Sequence, residues 1–118
     1  MPHPSPHDLL PLTPVVFEIL LALGDGECHG YHIMRHVETR TGGRVRLHAG
    51  TLYRALARML ADGLIAELDE RPDPGGDERR RYYELTPFGI QVAEAEMARL
   101  DGQLRAARGT RLLRRGSR

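Results

Sequence analysis

Residues 15–23 are almost uniformly apolar, and this stretch limits the folds open to the chain more than any other. The preceding Thr13-Pro14 is typical of a helix start, because Thr caps helix N-termini and Pro needs no hydrogen-bond partner for its nitrogen there. Gly24-Asp25-Gly26 ends the predicted helix. A helix without a polar face must be covered on several sides. A chain of 118 residues has room for one core, so we expect a second copy of the chain to supply part of the cover.

Hydrophobic periodicity and turn residues divide the rest of the chain into further elements. In chain order we predict helices at residues 30–41 and 49–62, strands at 64–71 and 79–85, and a helix at 88–107. Three helices followed by a hairpin predict a mainly α protein with a small β-hairpin, the winged helix-turn-helix fold. We expect a disordered tail over 1–11, the winged domain over 12–86, a long C-terminal dimerisation helix over 87–108, and a basic disordered tail over 109–118.

Composition excludes several classes of protein. Cys28 is the only cysteine, so no disulfide framework can form. No stretch approaches the roughly 18 apolar residues of a membrane span, and residues 1–10 lack the features of a secretory signal. There is no Gly-rich phosphate loop, no nucleophile elbow and no oxyanion-hole signature near the cysteine. We therefore expect a cytoplasmic protein that is not an enzyme and has no membrane partner.

The charges are segregated along the chain, although the net charge is only +1. All 17 basic residues are Arg. Residues 35–58 hold six Arg against Glu38 alone, a net charge of +5, whereas residues 59–78 carry −6 and residues 99–118 carry +6. Such local segregation indicates a partner-binding surface. Arg in particular matches the geometry of phosphates and guanine edges.

The predicted helix at 49–62 has one apolar and one cationic face. At 100° per residue, Leu52, Leu56 and Met59 fall on one side, and Thr51, Arg54 and Arg58 fall opposite them. A hairpin follows directly, and Arg79-Arg80-Arg81 lies where a wing would touch a DNA backbone. The pattern favours a DNA-recognition helix with a wing over a dimerisation module that binds no DNA.

Five short motifs occur in order along the chain. They are His29-Gly30-Tyr31, Thr41-Gly42-Gly43, the Gly-Thr-Leu-Tyr-Arg-Ala-Leu of residues 50–56, Asp62-Gly63-Leu64-Ile65, and the Arg-Arg-Arg-Tyr-Tyr-Glu-Leu-Thr of residues 79–86. Together they resemble the PadR family of transcriptional regulators, over about residues 12–104. The resemblance implies a winged-helix homodimer that represses genes by binding an inverted-repeat operator, with release by a small-molecule effector in many members. With its single long C-terminal helix, the chain resembles members of the shorter branch of the family.

The candidate DNA-binding residues combine the helix wheel with the positions that the resemblance implies. They are Tyr31, His48, Gly50, Thr51, Tyr53, Arg54, Arg58, Arg79, Arg80 and Arg81. The family often has Ser-Pro before the Gly-Thr-Leu-Tyr motif, where this chain has His48-Ala49. His caps a helix poorly, so we expect His48 to contact a phosphate instead. The chain has no Trp, so ligand stacking on a Trp of the last helix, as in some members, is not open to it unchanged.

The last predicted helix carries an apolar seam with alternating steps of three and four residues, which is typical of a helix–helix interface. With the first helix it predicts a dimer interface of Val16, Phe17, Leu20, Ile90, Ala93, Met97, Leu100 and Leu104. The alternative is packing onto the chain's own core. We expect a small-molecule effector to bind between these two helices, at the dimer interface.

Cys28, His29, His32 and His36 support a second hypothesis, a metal-responsive regulator. His32 and His36 are spaced i, i+4 on one helix face, which suits Zn or Ni. Against it, His29 belongs to the His-Gly-Tyr motif, and two histidines at this spacing are common by chance. We therefore predict no metal and no cofactor, and keep the metal-responsive regulator as the alternative.

Overall fold

The computed structural model describes residues 4–72 and 79–112, with side chains at 4–68 and 81–112. Its elements are α1 (Pro14–Ala22), β1 (Cys28–His29), α2 (Gly30–Arg40), α3 (Ala49–Ala61), β2 (Ile65–Pro72), β3 (Arg79–Leu85) and α4 (Pro87–Arg108), with 3₁₀ helices at Pro6–Leu9 and Leu23–Asp25. The predicted fold class is confirmed, since three helices, a hairpin and a last helix follow in order. Among the described helices, none combines the length and hydrophobicity that a membrane span requires.

Both Thr-Pro sequences begin helices in the predicted way. The Thr13 hydroxyl accepts a hydrogen bond of 3.2 Å from the backbone N–H of Val16. The Thr86 hydroxyl accepts one of 2.9 Å from Gly89. His48, the residue before α3, makes no such side-chain cap. The side chain of His48 therefore does not cap the first turn of α3, as the side chain of a good capping residue would.

The core lies between the four helices and the sheet. Its fully buried members include Ile19, Leu20, Ile33, Val37, Leu52, Leu56, Met59, Leu64 and Val92. Leu20 is only 1% exposed and Ala93 only 7% exposed within the single chain. Within the single chain the core covers these two predicted interface residues, so they offer a second chain little surface. Val16 and Phe17 are half-buried.

The N-terminal segment is folded onto the core. Ser5 caps the Pro6–Leu9 helix, and Leu9, Leu10 and Leu12 pack against the buried residues. The prediction of a disordered tail over 1–11 is therefore wrong for residues 4–11, because these leucines bury apolar surface. Residues 1–3 of that tail, and residues 113–118 of the C-terminal one, lie outside the described residues.

A buried carboxylate in α4 holds the segment in place. Glu96 is 2% exposed, and its Oε2 accepts a hydrogen bond of 2.8 Å from the backbone N–H of Leu12. Its Oε1 accepts a second from Nε of Arg99. The hydrogen bond from Arg99 lowers the pKa of Glu96 and outweighs the opposing effect of burial. The N-terminal segment is thus joined to α4 through a charged group that stays ionised.

The sheet has a third strand that the sequence pattern did not predict. The strand order is β1-β3-β2, antiparallel throughout, and Cys28 and His29 of β1 pair with Tyr83 and Tyr82 of β3. A strand of two residues is too short to show an alternating pattern. It nevertheless joins the start of α2 to the wing hairpin.

The start of α4 fits tightly against the turn between α3 and β2. The Thr86 hydroxyl donates a hydrogen bond of 2.6 Å to the carbonyl of Gly63, and the Thr86 backbone N–H donates one of 3.1 Å to the carbonyl of Leu64. A Cβ atom at Gly89 would lie 2.0 Å from the same Leu64 oxygen. Only glycine at position 89 allows the helix to approach this closely.

Candidate nucleic-acid interface

The two arginines on the outer face of α3 have different surroundings. Both are exposed. The side chain of Arg54 has no hydrogen-bond or ion-pair partner among the described residues. Arg58 pairs with Asp62, with 3.2 Å between Nε and Oδ2, and it borders the N-terminal segment at Leu9 and Leu12. Arg54 is therefore available to an external ligand without first breaking a contact.

The beginning of α3 is open. Gly50 is exposed, and a Cβ atom there would meet no other described atom within 4 Å. Its backbone is not left-handed, so neither packing nor conformation requires glycine at this position. The side chain of His48 is also exposed, and that of Thr51 is half-buried. The side chains of the first turn of α3 therefore project little from the helix, and a second molecule can approach its backbone closely.

Two exposed tyrosines lie near the start of α2, and one of them extends there from α3. The Tyr53 hydroxyl lies over Gly30, where a Cβ atom would be only 2.9 Å from it. Tyr53 therefore reaches the start of α2 rather than the core, and it remains about half exposed. Tyr31, the next residue of α2, is exposed to a similar extent. The guanidinium carbon of Arg35 lies 5.9 Å from the centre of the Tyr31 ring, within range of a cation–π contact.

A groove of about 680 Å³ lies between α2 and the segment leading to α3. Its lining includes Tyr31 together with Arg35 and Arg46. Arg46 approaches Glu38 to 3.8 Å, a distance too long for a hydrogen bond. Neither arginine was among the candidate residues, although both belong to the segment with a net charge of +5. That charge was the signal, but only the turn between α2 and α3 brings the two side chains to one groove.

The wing is only partly described at the level of side chains. Arg81 is exposed and pairs with Glu67 of β2, with 3.3 Å between Nε and Oε1. Arg79 and Arg80 lie in β3 opposite Pro72 and Arg71, and their side chains lie outside the described set. The predicted wing arginines therefore occupy the wing strand, and for Arg81 the contact is to a neighbouring strand.

The adjacent tyrosines of β3 face opposite sides of the sheet. Tyr83 is buried, and burial raises the pKa of its hydroxyl. Tyr82 is half-buried, and its ring makes an edge contact with His29 at 5.4 Å between ring centres.

An apolar stripe remains exposed along α4. Its members, called the α4 stripe below, are Ile90, Met97, Leu100 and Leu104, each between 38% and 46% exposed. They follow the seven-residue spacing of the predicted seam, without Ala93. The part of the chain that the structure describes covers these side chains only partly, so their exposed portions are open to a partner.

Three of the four candidate metal ligands lie together. The nearest ligand atoms of Cys28, His32 and His36 are all within 4.8 Å of one another. His29 has a different role, because its Nδ1 accepts a hydrogen bond of 3.2 Å from the backbone N–H of His32 and so caps α2. Burial raises the pKa of the Cys28 thiol, as expected for a neutral buried cysteine.

Comparison with known proteins identifies the family. The model of the PadR-like family of transcriptional regulators matches residues 19–95. The chain belongs to this family. PadR-like proteins are transcriptional regulators and not enzymes, which confirms both the resemblance and the prediction that this protein is not an enzyme.

Relatives of known sequence or structure agree. An uncharacterized 37.1 kDa protein in transposon TN4556 of Streptomyces fradiae is 42% identical over 89 residues, which cover 73% of this chain. The match covers only 24% of that relative. A PadR family regulator from Clostridium difficile superposes with a TM-score of 0.68 at 26% identity, covering 80% of this chain and 94% of that one.

A further structure shares the fold alone. Bacillus subtilis PadR in complex with operator DNA superposes with a TM-score of 0.63 at 22% identity. The alignment covers 74% of this chain and 48% of that chain.

Proposed function

We propose that this protein is a DNA-binding transcriptional repressor that acts as a homodimer on an inverted-repeat operator. The observation that carries the proposal is the open N-terminal end of α3, where packing does not require glycine at position 50 and Arg54 has no partner among the described residues. In helix-turn-helix proteins the N-terminal residues of the recognition helix contact base edges in the major groove. The operator-bound Bacillus subtilis structure of the same fold supports this assignment.

The surrounding side chains are suited to contacts with the phosphates of the DNA backbone. Arg35 and Arg46 line the groove beside α2, and His48 directly precedes α3. Phosphate contacts from such residues orient a protein on DNA without reading sequence. Arg58 and Arg81 would have to exchange Asp62 and Glu67 for a phosphate. Exposed ion pairs contribute only about 0–1 kcal/mol, so this exchange costs little.

The α4 stripe supports the homodimer. Two copies joined along α4 would present two α3 helices, and a separation of about 34 Å would place them in successive major grooves. Val16 and Phe17 of α1, both half-buried, would border that interface. We infer that a small-molecule effector bound between α1 and α4 would change the separation and release the operator. Operator affinity that stays constant across all candidate effectors would count against this release mechanism.

Selection of DNA from a random duplex pool tests operator binding. At about 0.15 M salt, where weak phosphate-only binding is suppressed, we expect an inverted repeat with half-sites about one helical turn apart. Failure to enrich any sequence would contradict the proposal. Enrichment of a single asymmetric site would contradict the dimer but retain DNA binding.

Gly50→Leu separates DNA binding from folding. The protein has open space at Gly50 and Leu favours a helix more than Gly does, so the variant should be at least as stable to denaturant as the wild type. A groove wall close to the first turn would be displaced by the new side chain, and we expect operator affinity to fall at least about tenfold, or 1.4 kcal/mol. Fluorescence anisotropy with the selected operator measures the change.

Ala61→Leu is the matched control. Ala61 is exposed on the same helix, about 16 Å further along at 1.5 Å per residue, and on nearly the same side. Its replacement should leave operator affinity within about twofold of the wild type, since a factor of two is only about 0.4 kcal/mol. Equal losses in both variants would rule out insertion of the N-terminal end.

A further inference from the structure

Cys28, His32 and His36 form a compact group of metal-ligating side chains outside the open end of α3. Cys28 lies in β1 just before α2, and His32 and His36 are one turn apart on α2. Their ligand atoms lie within 4.8 Å of one another. We propose that these three residues bind one divalent zinc-like ion per chain.

The donor set suits such an ion. Cysteine sulfur and histidine nitrogen bind zinc at about 2.3 and 2.0–2.1 Å, so a tetrahedral centre needs donor atoms about 3.3–3.8 Å apart. The side chains must therefore close by about 1 Å. Cys28 is buried and held by its strand, whereas His32 is exposed and His36 half-buried. The two imidazoles can rotate to complete the site without moving the backbone.

The described interactions of the His32 and His36 side chains are ring contacts. Their ring centres lie 4.7 Å apart at a tilt of 48°, and the ring of His32 also lies 5.6 Å from that of His29, centre to centre. Neither imidazole has a hydrogen-bond partner among the described residues. By contrast, His29 is used as a helix cap through Nδ1. The site therefore offers three protein ligands and one open position for water or an external ligand, as exchangeable rather than closed zinc sites do.

The position of the ion would couple two elements. It would join β1, which pairs with the wing strand, to the outer face of α2. Arg35 and Thr39 share the shallow depression that the two histidines line. The guanidinium of Arg35 is the charged group nearest to this depression on α2, and its positive charge opposes the ion. This repulsion lowers the affinity of the site for the ion, so we expect exchangeable rather than permanent occupancy.

Cobalt(II) titration of the reduced, metal-free full chain tests the site, and it does not depend on DNA binding. We expect one cobalt per chain, tetrahedral d–d absorption in the visible range, and a thiolate-to-cobalt charge-transfer band that zinc abolishes. Cys28→Ser should remove the charge-transfer band. His32→Ala should lower cobalt affinity at least about tenfold, since even outer-shell partners of metal ligands contribute that much.

His7→Ala is the control, because His7 is exposed and lies outside the cluster. Its cobalt affinity should equal that of the wild type. His32 is exposed, so His32→Ala should fold normally, and it decides the result if Cys28→Ser does not fold. The absence of a thiolate band in the wild-type chain, or an equal loss in His7→Ala and His32→Ala, would overturn the proposal.

Discussion

Gly89→Ala gives the sharpest test of how α4 is positioned. Helix propensity alone predicts that Ala in a helix interior stabilises the protein by about 1 kcal/mol relative to Gly. The structure predicts the opposite, because the added Cβ atom would lie 2.0 Å from the carbonyl oxygen of Leu64. Backbone atoms cannot rotate away as a flexible side chain can. The start of α4 and the turn at Leu64 would have to separate by at least about 1.4 Å to restore ordinary van der Waals distances.

That separation would strain the contacts that hold the helix. The hydrogen bonds from Thr86 to the carbonyls of Gly63 and Leu64, at 2.6 and 3.1 Å, cross the same junction. Overpacking costs about 1–3 kcal/mol, and each strained hydrogen bond adds about 0.5–1.5 kcal/mol. After the gain in helix propensity is subtracted, we expect a net loss of about 1–5 kcal/mol in the free energy of unfolding.

Urea denaturation followed by circular dichroism, at one fixed protein concentration, measures this loss. Gly102→Ala is the matched control, because it makes the same substitution in the same helix where the Cβ atom meets nothing within 4 Å. It should stabilise the protein by about 0.5–1 kcal/mol. The opposite signs of the two changes are the critical result. Equal or greater stability of Gly89→Ala would refute the close approach of α4 to Leu64.

The other predictions concern charge, DNA and association. The ion pair with Arg99 lowers the pKa of Glu96. The stability that this ion pair contributes is therefore present above the ordinary glutamate pKa of about 4.3, and it is lost as the pH falls through the lowered pKa of Glu96. Melting temperatures across this acidic range should fall less steeply in Glu96→Gln, and parallel curves would contradict this. Arg54→Ala should reduce the salt dependence of operator binding by about one unit, or relax specificity at one base pair. Arg58→Ala should do less, because Arg58 is paired; a larger effect would reverse this ranking. Leu100→Glu should convert the proposed dimer to a folded monomer in sedimentation experiments, and an unchanged dimer would exclude the α4 stripe as its interface.

The order of helices and strands could be predicted from the sequence because its signals are local. Thr13 and Thr86 cap their helices through residues three positions away. The period of apolar residues likewise assigned the inner and outer faces of α3. The PadR-like family followed from short motifs in order, since each motif depends on neighbours in the chain rather than on distant contacts.

Tertiary structure decided which predicted surfaces are exposed. The sequence pattern placed Leu20 and Ala93 on an interface, whereas long-range packing buries both side chains. It placed residues 4–11 in a disordered tail, whereas long-range packing folds this segment onto the core. The buried Glu96 accepts a hydrogen bond from Leu12, 84 positions away. The periodic pattern of apolar residues along the chain cannot predict a contact between residues so far apart in the sequence.

The candidate site divides in the same way. The sequence by itself determined that α3 would carry an arginine face opposite its apolar face, with Gly50 near its start. Only the folded chain showed that Arg54 has no partner in the described part of the chain while Arg58 is paired, and that Tyr53 extends over Gly30. It also brought Cys28 to the two histidines of α2. The physical reason is that a side chain's exposure and partners depend on elements that meet in space, whereas its helix or strand depends mainly on neighbours along the chain.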